Sequence, residues 1–142
     1  MKKEIVAKKG FQAIGPYSQG ITIGDLIFIS GNIGIDPKTN DFVKGGIQEQ
    51  TRQTIKNIEE TLKAAGATLQ NILKTNVYLQ DFNDFAKMNE EYAKFFEKPY
   101  PTRATVQVAR LPKDALIEIE CIAYKSFHHG QHRESGCCGE CC

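Results

Sequence analysis

Arg103 stands where its side chain could bind a carboxylate. It closes the segment Pro99-Tyr100-Pro101-Thr102-Arg103, directly before a predicted strand, and the two prolines restrict the backbone that leads to it. A guanidinium presents five N–H donors in one plane, which suits the two oxygens of a carboxylate. The position alone also fits a solvated surface arginine, which is the commoner fate of this residue type.

Two glutamates, Glu118 and Glu120, lie two residues apart on a predicted strand, so they point to the same face of its sheet. A carboxylate within such an apolar segment is costly to bury without a partner. Near an arginine and a subunit interface, one of them could accept a proton from a water molecule. An exposed pair on a sheet edge explains the same spacing without any catalysis.

Two loops add polar groups that could contact a small ligand. Tyr17 lies between glycines and a proline, and it could offer a hydroxyl and a ring face. Ser30 and Gly31 follow a predicted buried strand and could present a hydroxyl and backbone N–H groups to an anion. A plain turn and a strand end with a bulge are the structural alternatives.

Several catalytic devices are excluded from residues 1–125. All three histidines follow residue 127, which rules out Ser-His-Asp and Cys-His arrangements in this part of the chain. No phosphate-binding loop, dinucleotide fingerprint or His-Glu-x-x-His motif occurs. Cys121 lies among apolar residues, which predicts a buried and unreactive thiol. The formal net charge of +1 gives no basic surface for nucleic acid.

Composition divides the chain into a patterned domain, residues 1–125, and a Cys/His-rich tail, residues 126–142, predicted to be disordered or a tag. The tail carries side chains that together could bind a soft metal ion: His128, His129, His132, Cys137, Cys138, Cys141 and Cys142. The Cys-Cys-Gly-Glu-Cys-Cys spacing does not match a standard structural zinc site. Adjacent thiols also suit redox chemistry or an engineered tag.

Hydrophobic periodicity predicts the elements that must position the site residues. Hydrophobic patterning predicts strands over 20–24, 26–30, 72–79, 104–109 and 115–124, and the strand over 26–30 is apolar enough to be buried on both faces. Spacings of three and four predict helices over 47–65 and 83–97. The second helix is expected to bury Phe82, Phe85, Ala86, Asn89, Tyr92, Ala93 and Phe96. This order predicts an α+β domain, with one mixed sheet and both helices on one of its faces.

The last predicted strand carries apolar residues on both faces. The face of the sheet without helices is therefore either buried in an oligomer or solvated with a few exposed apolar groups. No apolar run approaches the roughly 20 residues that span a bilayer. The basic start of the chain lacks the apolar run of a secretory signal, so a cytoplasmic location without membrane contact is expected.

Taken together, the chain resembles the RidA family (reactive intermediate deaminase A, formerly YjgF). The resemblance covers about Glu4 to Tyr124, and its most specific stretch is Val-Ala-Arg-Leu-Pro-Lys-Asp-Ala-Leu-Ile-Glu-Ile-Glu at 108–120. The other matching stretches are Ala-Ile-Gly-Pro-Tyr-Ser-Gln-Gly at 13–20, Ile-Ser-Gly at 29–31, Lys-Thr-Asn-Val-Tyr-Leu at 74–79, Phe-Asn-Asp-Phe at 82–85 and Pro-Thr-Arg at 101–103.

The resemblance implies a chorismate-mutase-like α+β protomer and a homotrimer with active sites between subunits. It implies hydrolysis of 2-iminopropanoate and 2-iminobutanoate to 2-keto acids and ammonia, with no cofactor. By position, Arg103 would bind the substrate carboxylate and Glu118 would hold and activate the attacking water. The family's other contacts fall on Tyr17, Ser30, Gly31, Asn89 and Thr105. Thr105 stands where the family often has cysteine, so only its backbone carbonyl is expected to orient water or the imine nitrogen.

Two rival functions remain at this stage. Some relatives are described as ribonucleases or inhibitors of translation, although the near-neutral charge makes nucleic acid an unexpected partner here. A non-catalytic trimer that binds small molecules such as 2-keto acids is the other. Binding alone would not separate it from an enzyme, so only kinetics discriminates between them.

Overall fold

A computed structural model describes residues 1–125 of the chain, and the predicted metal ligands of the tail lie outside this range. Within it the elements, in chain order, are β1 (Lys3–Ile5), β2 (Gly20–Ile23), β3 (Leu26–Asn32), β4 (Ile35–Asp36), β5 (Asp41–Phe42), α1 (Ile47–Ala64), β6 (Ile72–Leu79), α2 (Phe85–Tyr92), β7 (Thr102–Gln107) and β8 (Ile117–Tyr124). Short 3₁₀ turns precede β6, flank α2 at both ends and precede β8.

Six of these strands form one sheet in the order β1-β2-β3-β8-β6-β7. All neighbours are antiparallel except β6 and β7, which run parallel because α2 carries the chain back between them. The predicted α+β domain with a mixed sheet is thus confirmed. The strand β1 and the small β4–β5 hairpin were not predicted, since two or three residues are too few to show a period of two.

The helix α1 forms because one stripe of its surface is apolar. Ile55, Ile58 and Leu62 are almost fully buried, and the helix packs on β3 and β8. At its start, Glu49 Oε2 accepts the backbone N–H of Gly46 at 2.8 Å, which satisfies a donor that the first turn leaves free. The predicted helix and its buried face are confirmed.

The second predicted helix differs from the observed one in extent and in orientation. Only 85–92 is α-helical, with 3₁₀ turns at 82–84 and 93–95. Met88 and Glu91 are buried, whereas Phe82, Ala86 and Ala93 are exposed, contrary to the prediction. The helix carries apolar side chains on two sides, so periodicity alone did not identify the side that meets the sheet.

Burial of Glu91 explains why the pattern was misleading. Its carboxylate accepts hydrogen bonds from Arg52 Nε at 2.8 Å and Lys94 Nζ at 2.9 Å. Burial alone raises the pKa of Glu91, but these two cations lower it below the ordinary value. A charged residue on the buried face of α2 therefore forms an ion pair with α1. Hydrophobic periodicity alone would place such a residue on the solvent-exposed face.

The main core lies between the helices and one face of the sheet, and a smaller cluster of Phe11, Ile33, Ile35, Leu111 and Ala115 lies apart from it. The other face, which we call the open face, exposes Leu26, Phe28, Val106 and Tyr124. The prediction that the strand over 26–30 is buried on both faces was therefore wrong, because within the described residues only its core face is covered by a helix. Neither helix of residues 1–125 is long and apolar enough to cross a bilayer. The open face is therefore an apolar surface that nothing in this chain's described residues covers.

Candidate active site

Arg103 lies on the edge strand β7, on the same face of the sheet as the helices. Its register partner on β6 is Thr75, and paired residues of parallel strands point to the same side. The guanidinium carbon lies 4.8 Å from the ring centroid of Tyr92 and 5.7 Å from that of Phe85. Within residues 1–125 no carboxylate lies within ion-pair distance of it. The positive charge of Arg103 is thus not neutralised by a carboxylate of the described residues, and the guanidinium lies over the rings of Tyr92 and Phe85.

Polar atoms without partners accompany this cation. Arg103 and Asn89 line a pocket of ≈ 430 Å³ together with Tyr92, Ala93, Tyr100 and Pro101. The Oδ1 atom of Asn89 is buried without a hydrogen-bond partner, and so is Oγ1 of Thr105, two residues along β7 from the arginine. Buried polar atoms are rarely left unpaired, so both atoms are unusual, and of these two residues Asn89 also lines the pocket.

Glu118 lies on the open face, between the buried residues Ile117 and Ile119 of β8. Its register partner on β6 is Tyr78, and it is half-buried. Burial raises the pKa of Glu118 above its ordinary value, and the negative charge of Glu120 raises it further. Such a carboxyl group exchanges a proton more readily near neutral pH than an ordinary glutamate does.

The adjacent glutamate is engaged differently. Glu120 Oε1 accepts hydrogen bonds from the Tyr78 hydroxyl at 2.7 Å and from Asn76 Nδ2 at 3.0 Å. The hydrogen bond to Glu120 raises the pKa of Tyr78 to about 12, so this phenol stays protonated. Residue spacing alone did not separate the two glutamates, whereas the resemblance pointed to Glu118. Their partners differ accordingly: Glu120 accepts two hydrogen bonds, and Glu118 has no side-chain partner within residues 1–125.

Gly31 and Ser30 lie beside Glu118, where a bulge interrupts the pairing of β3 with β8. A β-carbon added at Gly31 would clash with Glu118 Oε1 and lie 2.8 Å from its Cδ, so any larger residue at position 31 would displace this carboxylate. Ser30 Oγ donates to the Ser18 carbonyl at 2.6 Å, and its backbone N–H donates to Gln19. Ser30 therefore offers lone pairs to a ligand, not the donors that the sequence suggested.

Tyr17 lines one shallow depression with Ser30 and Gly31. Its hydroxyl accepts the backbone N–H of Ile14 at 3.3 Å, and the side chain is exposed. The phenolic hydrogen has no acceptor within this loop contact, so it remains available to a ligand. Cys121, in contrast, is buried on the core face, and burial raises its pKa to about 12, as expected of an unreactive thiol.

The predicted site residues therefore form two clusters, one on each face of the sheet. The arginine cluster comprises Arg103, Asn89 and Thr105, and the glutamate cluster comprises Glu118, Gly31, Ser30 and Tyr17. The register of β6 with its two neighbours separates them, since Thr75 points to the helices and Tyr78 to the open face. One chain does not bring Arg103 and Glu118 together.

The fold and the two clusters define a small α+β protein with an exposed arginine, unpaired among the described residues, on one face of its sheet and a half-buried glutamate on the other. The family model described as Endoribonuclease L-PSP matches residues 7–125. The chain belongs to this family, and the resemblance to RidA proteins is confirmed by the relatives described next.

Three relatives illustrate the similarity. Reactive Intermediate Deaminase A of Arabidopsis thaliana is 49% identical over 87% of this chain and 66% of its own length. The human 2-iminobutanoate/2-iminopropanoate deaminase is 46% identical over 87% of this chain and 90% of its own. The crystal structure of E. coli TdcF with bound serine superimposes with a TM-score of 0.82 at 43% identity, covering 87% of this chain and 99% of that one.

Proposed function

We propose that this chain hydrolyses reactive 2-imino acids, such as 2-iminobutanoate and 2-iminopropanoate, to 2-keto acids and ammonia. The names of the Arabidopsis and human relatives support this reaction. The observation that carries the proposal is the unpaired guanidinium of Arg103, which lines one pocket together with the polar side chain of Asn89. A substrate with one carboxylate and one polar nitrogen fits these groups, and TdcF with its bound serine shows a relative that holds such a molecule.

The catalytic unit is a homotrimer in which each site lies between two subunits. Arg103 of one subunit holds the substrate, and Glu118 of the partner subunit completes the site. Two features support this arrangement: the arginine and glutamate clusters lie on opposite faces of the sheet, and the open face exposes apolar side chains. A cytoplasmic location belongs to the same proposal.

The reaction needs few groups because an imine carbon is already electrophilic. Arg103 fixes the carboxylate through paired N–H donors, which sets the distance from the C=N carbon to the incoming water. The substrate reacts as its protonated imine: Glu118 takes a proton from that water as the water oxygen bonds to the carbon, and the electron pair of the C=N bond moves to the nitrogen, which becomes a neutral amine. The same carboxyl group then returns the proton to the nitrogen. The C–N bond breaks with its electrons on the nitrogen, ammonia leaves, and the hydroxyl proton passes to the Glu118 carboxylate and on to solvent as the carbonyl of the 2-keto acid forms.

The test couples the protein to a threonine dehydratase, which releases 2-iminobutanoate, in the presence of semicarbazide as a competing trap. An active protein lowers semicarbazone formation and accelerates the release of ammonia. Arg103→Ala and Glu118→Gln should each abolish this effect while the oligomer, measured by light scattering, persists. Full activity of Arg103→Ala would overturn the proposed anchor.

A further inference from the structure

Tyr92 connects three elements around Arg103. Its ring lies beneath the guanidinium, at 4.8 Å from the guanidinium carbon to the ring centroid. Its hydroxyl shares a hydrogen bond of 2.9 Å with Thr75 Oγ1. Thr75 is itself the register partner of Arg103 on the neighbouring strand. The side chain of Tyr92 on α2 therefore contacts both residues of one register pair, Thr75 on β6 and Arg103 on β7.

The position of this ring is fixed, whereas the arginine is exposed. Tyr92 and Thr75 are buried in the core, at 6% and 1% exposure, and Phe96 packs on the tyrosine with 4.5 Å between ring centroids. Arg103 is exposed and has no ion-pair partner in the described part of the chain. An exposed arginine samples many rotamers, and ordering them upon binding costs affinity. A fixed surface beneath the guanidinium reduces that cost.

We propose that Tyr92 is a positioning residue for Arg103, whose guanidinium it holds in place while Thr75 fixes the tyrosine by its hydroxyl. The inference rests on the proposed role of Arg103 as carboxylate anchor. A carboxylate could also hold the arginine, but it would neutralise the charge that the substrate needs. An aromatic face attracts the cation and leaves its charge unneutralised. Burial raises the pKa of Tyr92, so the ring remains a neutral phenol.

The test compares Tyr92→Leu, Tyr92→Phe and Thr75→Val in the full chain, by calorimetric titration with 2-oxobutanoate. Tyr92→Leu removes the ring and should weaken binding about tenfold. Tyr92→Phe retains the ring and should recover most of this loss. Thr75→Val should match Tyr92→Phe, and the double variant should be no worse than either, because both remove the same hydrogen bond.

A second readout does not depend on any ligand. In NMR spectra of the free protein, the Nε–Hε signal of Arg103, assigned with Arg103→Ala, should move in Tyr92→Leu because the ring current of the tyrosine is lost. Phe42→Leu, an aromatic-to-leucine change in the smaller cluster, is the matched control and should change neither the signal nor the affinity. Thermal unfolding of each variant establishes that it is folded at the temperature of measurement.

The outcomes separate this inference from the proposed function. An unmoved Arg103 signal in Tyr92→Leu, or a moved signal with unchanged affinity, overturns the positioning role. If Arg103→Ala binds 2-oxobutanoate as tightly as the unaltered protein does, the carboxylate anchor of the proposed function fails. In that case the positioning role fails with it, although the Arg103 signal still reports whether the tyrosine holds the guanidinium.

Discussion

Gly31 lies directly against the carboxylate of Glu118, so that a β-carbon at position 31 would clash with Oε1. The contact joins β3 to β8 at the bulge, where the two strands lose their regular pairing. A glycine here determines where a carboxylate on the adjacent strand can rest. Glu118, the proposed base, thus occupies space that a side chain at position 31 would fill.

Gly31→Ala should lower kcat/KM for imine hydrolysis about 100-fold, because a displacement of Glu118 by about 1 Å misplaces the water. The backbone at Gly31 does not lie in the left-handed region, so the effect comes from the contact with the carboxylate. Gly46→Ala is the matched control, since a β-carbon there meets nothing within 4 Å. Equal activity of the two variants would contradict the role of this contact.

Mixed oligomers test whether the two clusters meet between subunits. Arg103→Ala and Glu118→Gln chains, each inactive, should regain activity when they are unfolded together and refolded as a mixture. In a randomly assembled equimolar trimer, about one quarter of the sites combine an intact arginine with an intact glutamate. Activity near this fraction is expected in the coupled assay. Mass spectrometry verifies that mixed oligomers have formed. If they regain no activity, then either both residues of a site come from the same subunit or one of the two residues is not part of the site.

The pH dependence of the rate reports the charge of Glu120. In the proposed reaction ionised Glu118 acts as the base, so the rate should rise with pH through the pKa of Glu118, which burial and then Glu120 raise. The titratable groups that face it are Glu120 on its own strand and Tyr78 across on β6. Glu120→Gln removes the charge and retains an acceptor for Tyr78 and Asn76. The acidic limb of the profile should therefore move to lower pH.

The matched control for this shift is Glu59→Gln on α1, whose side chain lies near Lys63, away from β8. Its profile should overlay that of the unaltered protein. A direct titration of the Glu118 carboxyl by NMR should give the same displacement as the rate does. If Glu120→Gln leaves both curves unchanged, the negative charge of Glu120 has no part in the proton affinity of Glu118.

RNA cleavage should be absent from carefully purified protein. The family description names an endoribonuclease, but the formal net charge is +1 and no histidine lies within residues 1–125 to act as a general base. We expect any cleavage of a labelled RNA to stay at background across a series of salt concentrations. Cleavage that co-purifies with the oligomer and disappears in Glu118→Gln would support the ribonuclease alternative instead.

Removal of residues 126–142 should leave the rate of imine hydrolysis unchanged. Both clusters lie within residues 1–125, and β8 ends at Tyr124. The truncated and full chains should give equal kcat/KM in the coupled assay, with and without a chelator. A rate that falls upon truncation would assign the Cys/His-rich tail a role in the reaction.

Sequence patterns identified the buried face of an element correctly where that face is apolar. They failed where the buried face includes a charged side chain. The one apolar stripe of α1 and the strict alternation of β8 gave the correct faces. In α2 the buried face includes Glu91, whose burial depends on Arg52 from another helix, and local periodicity contains no trace of that partner. Long-range ion pairs therefore set the limit of such predictions.

The site residues show the same division. The spacing of Glu118 and Glu120 predicted that both lie on one face of the sheet, and the register of β8 with β6 confirms it. The face of Arg103 depends on the pairing of Thr75 with Arg103, which arises only when α2 returns the chain parallel to β6. The role of Tyr92 needs three elements at once, so no local pattern could indicate it.

Because the two clusters lie on opposite sides of one sheet, the specific activity of the protein should depend on its concentration. A solitary copy would hold a substrate acid group at one place and a proton acceptor at another, without turnover. Specific activity should then fall as the protein is diluted below the concentration at which its copies separate, and recover on reconcentration. Affinity between copies would thus regulate the enzyme as directly as any change in its pocket.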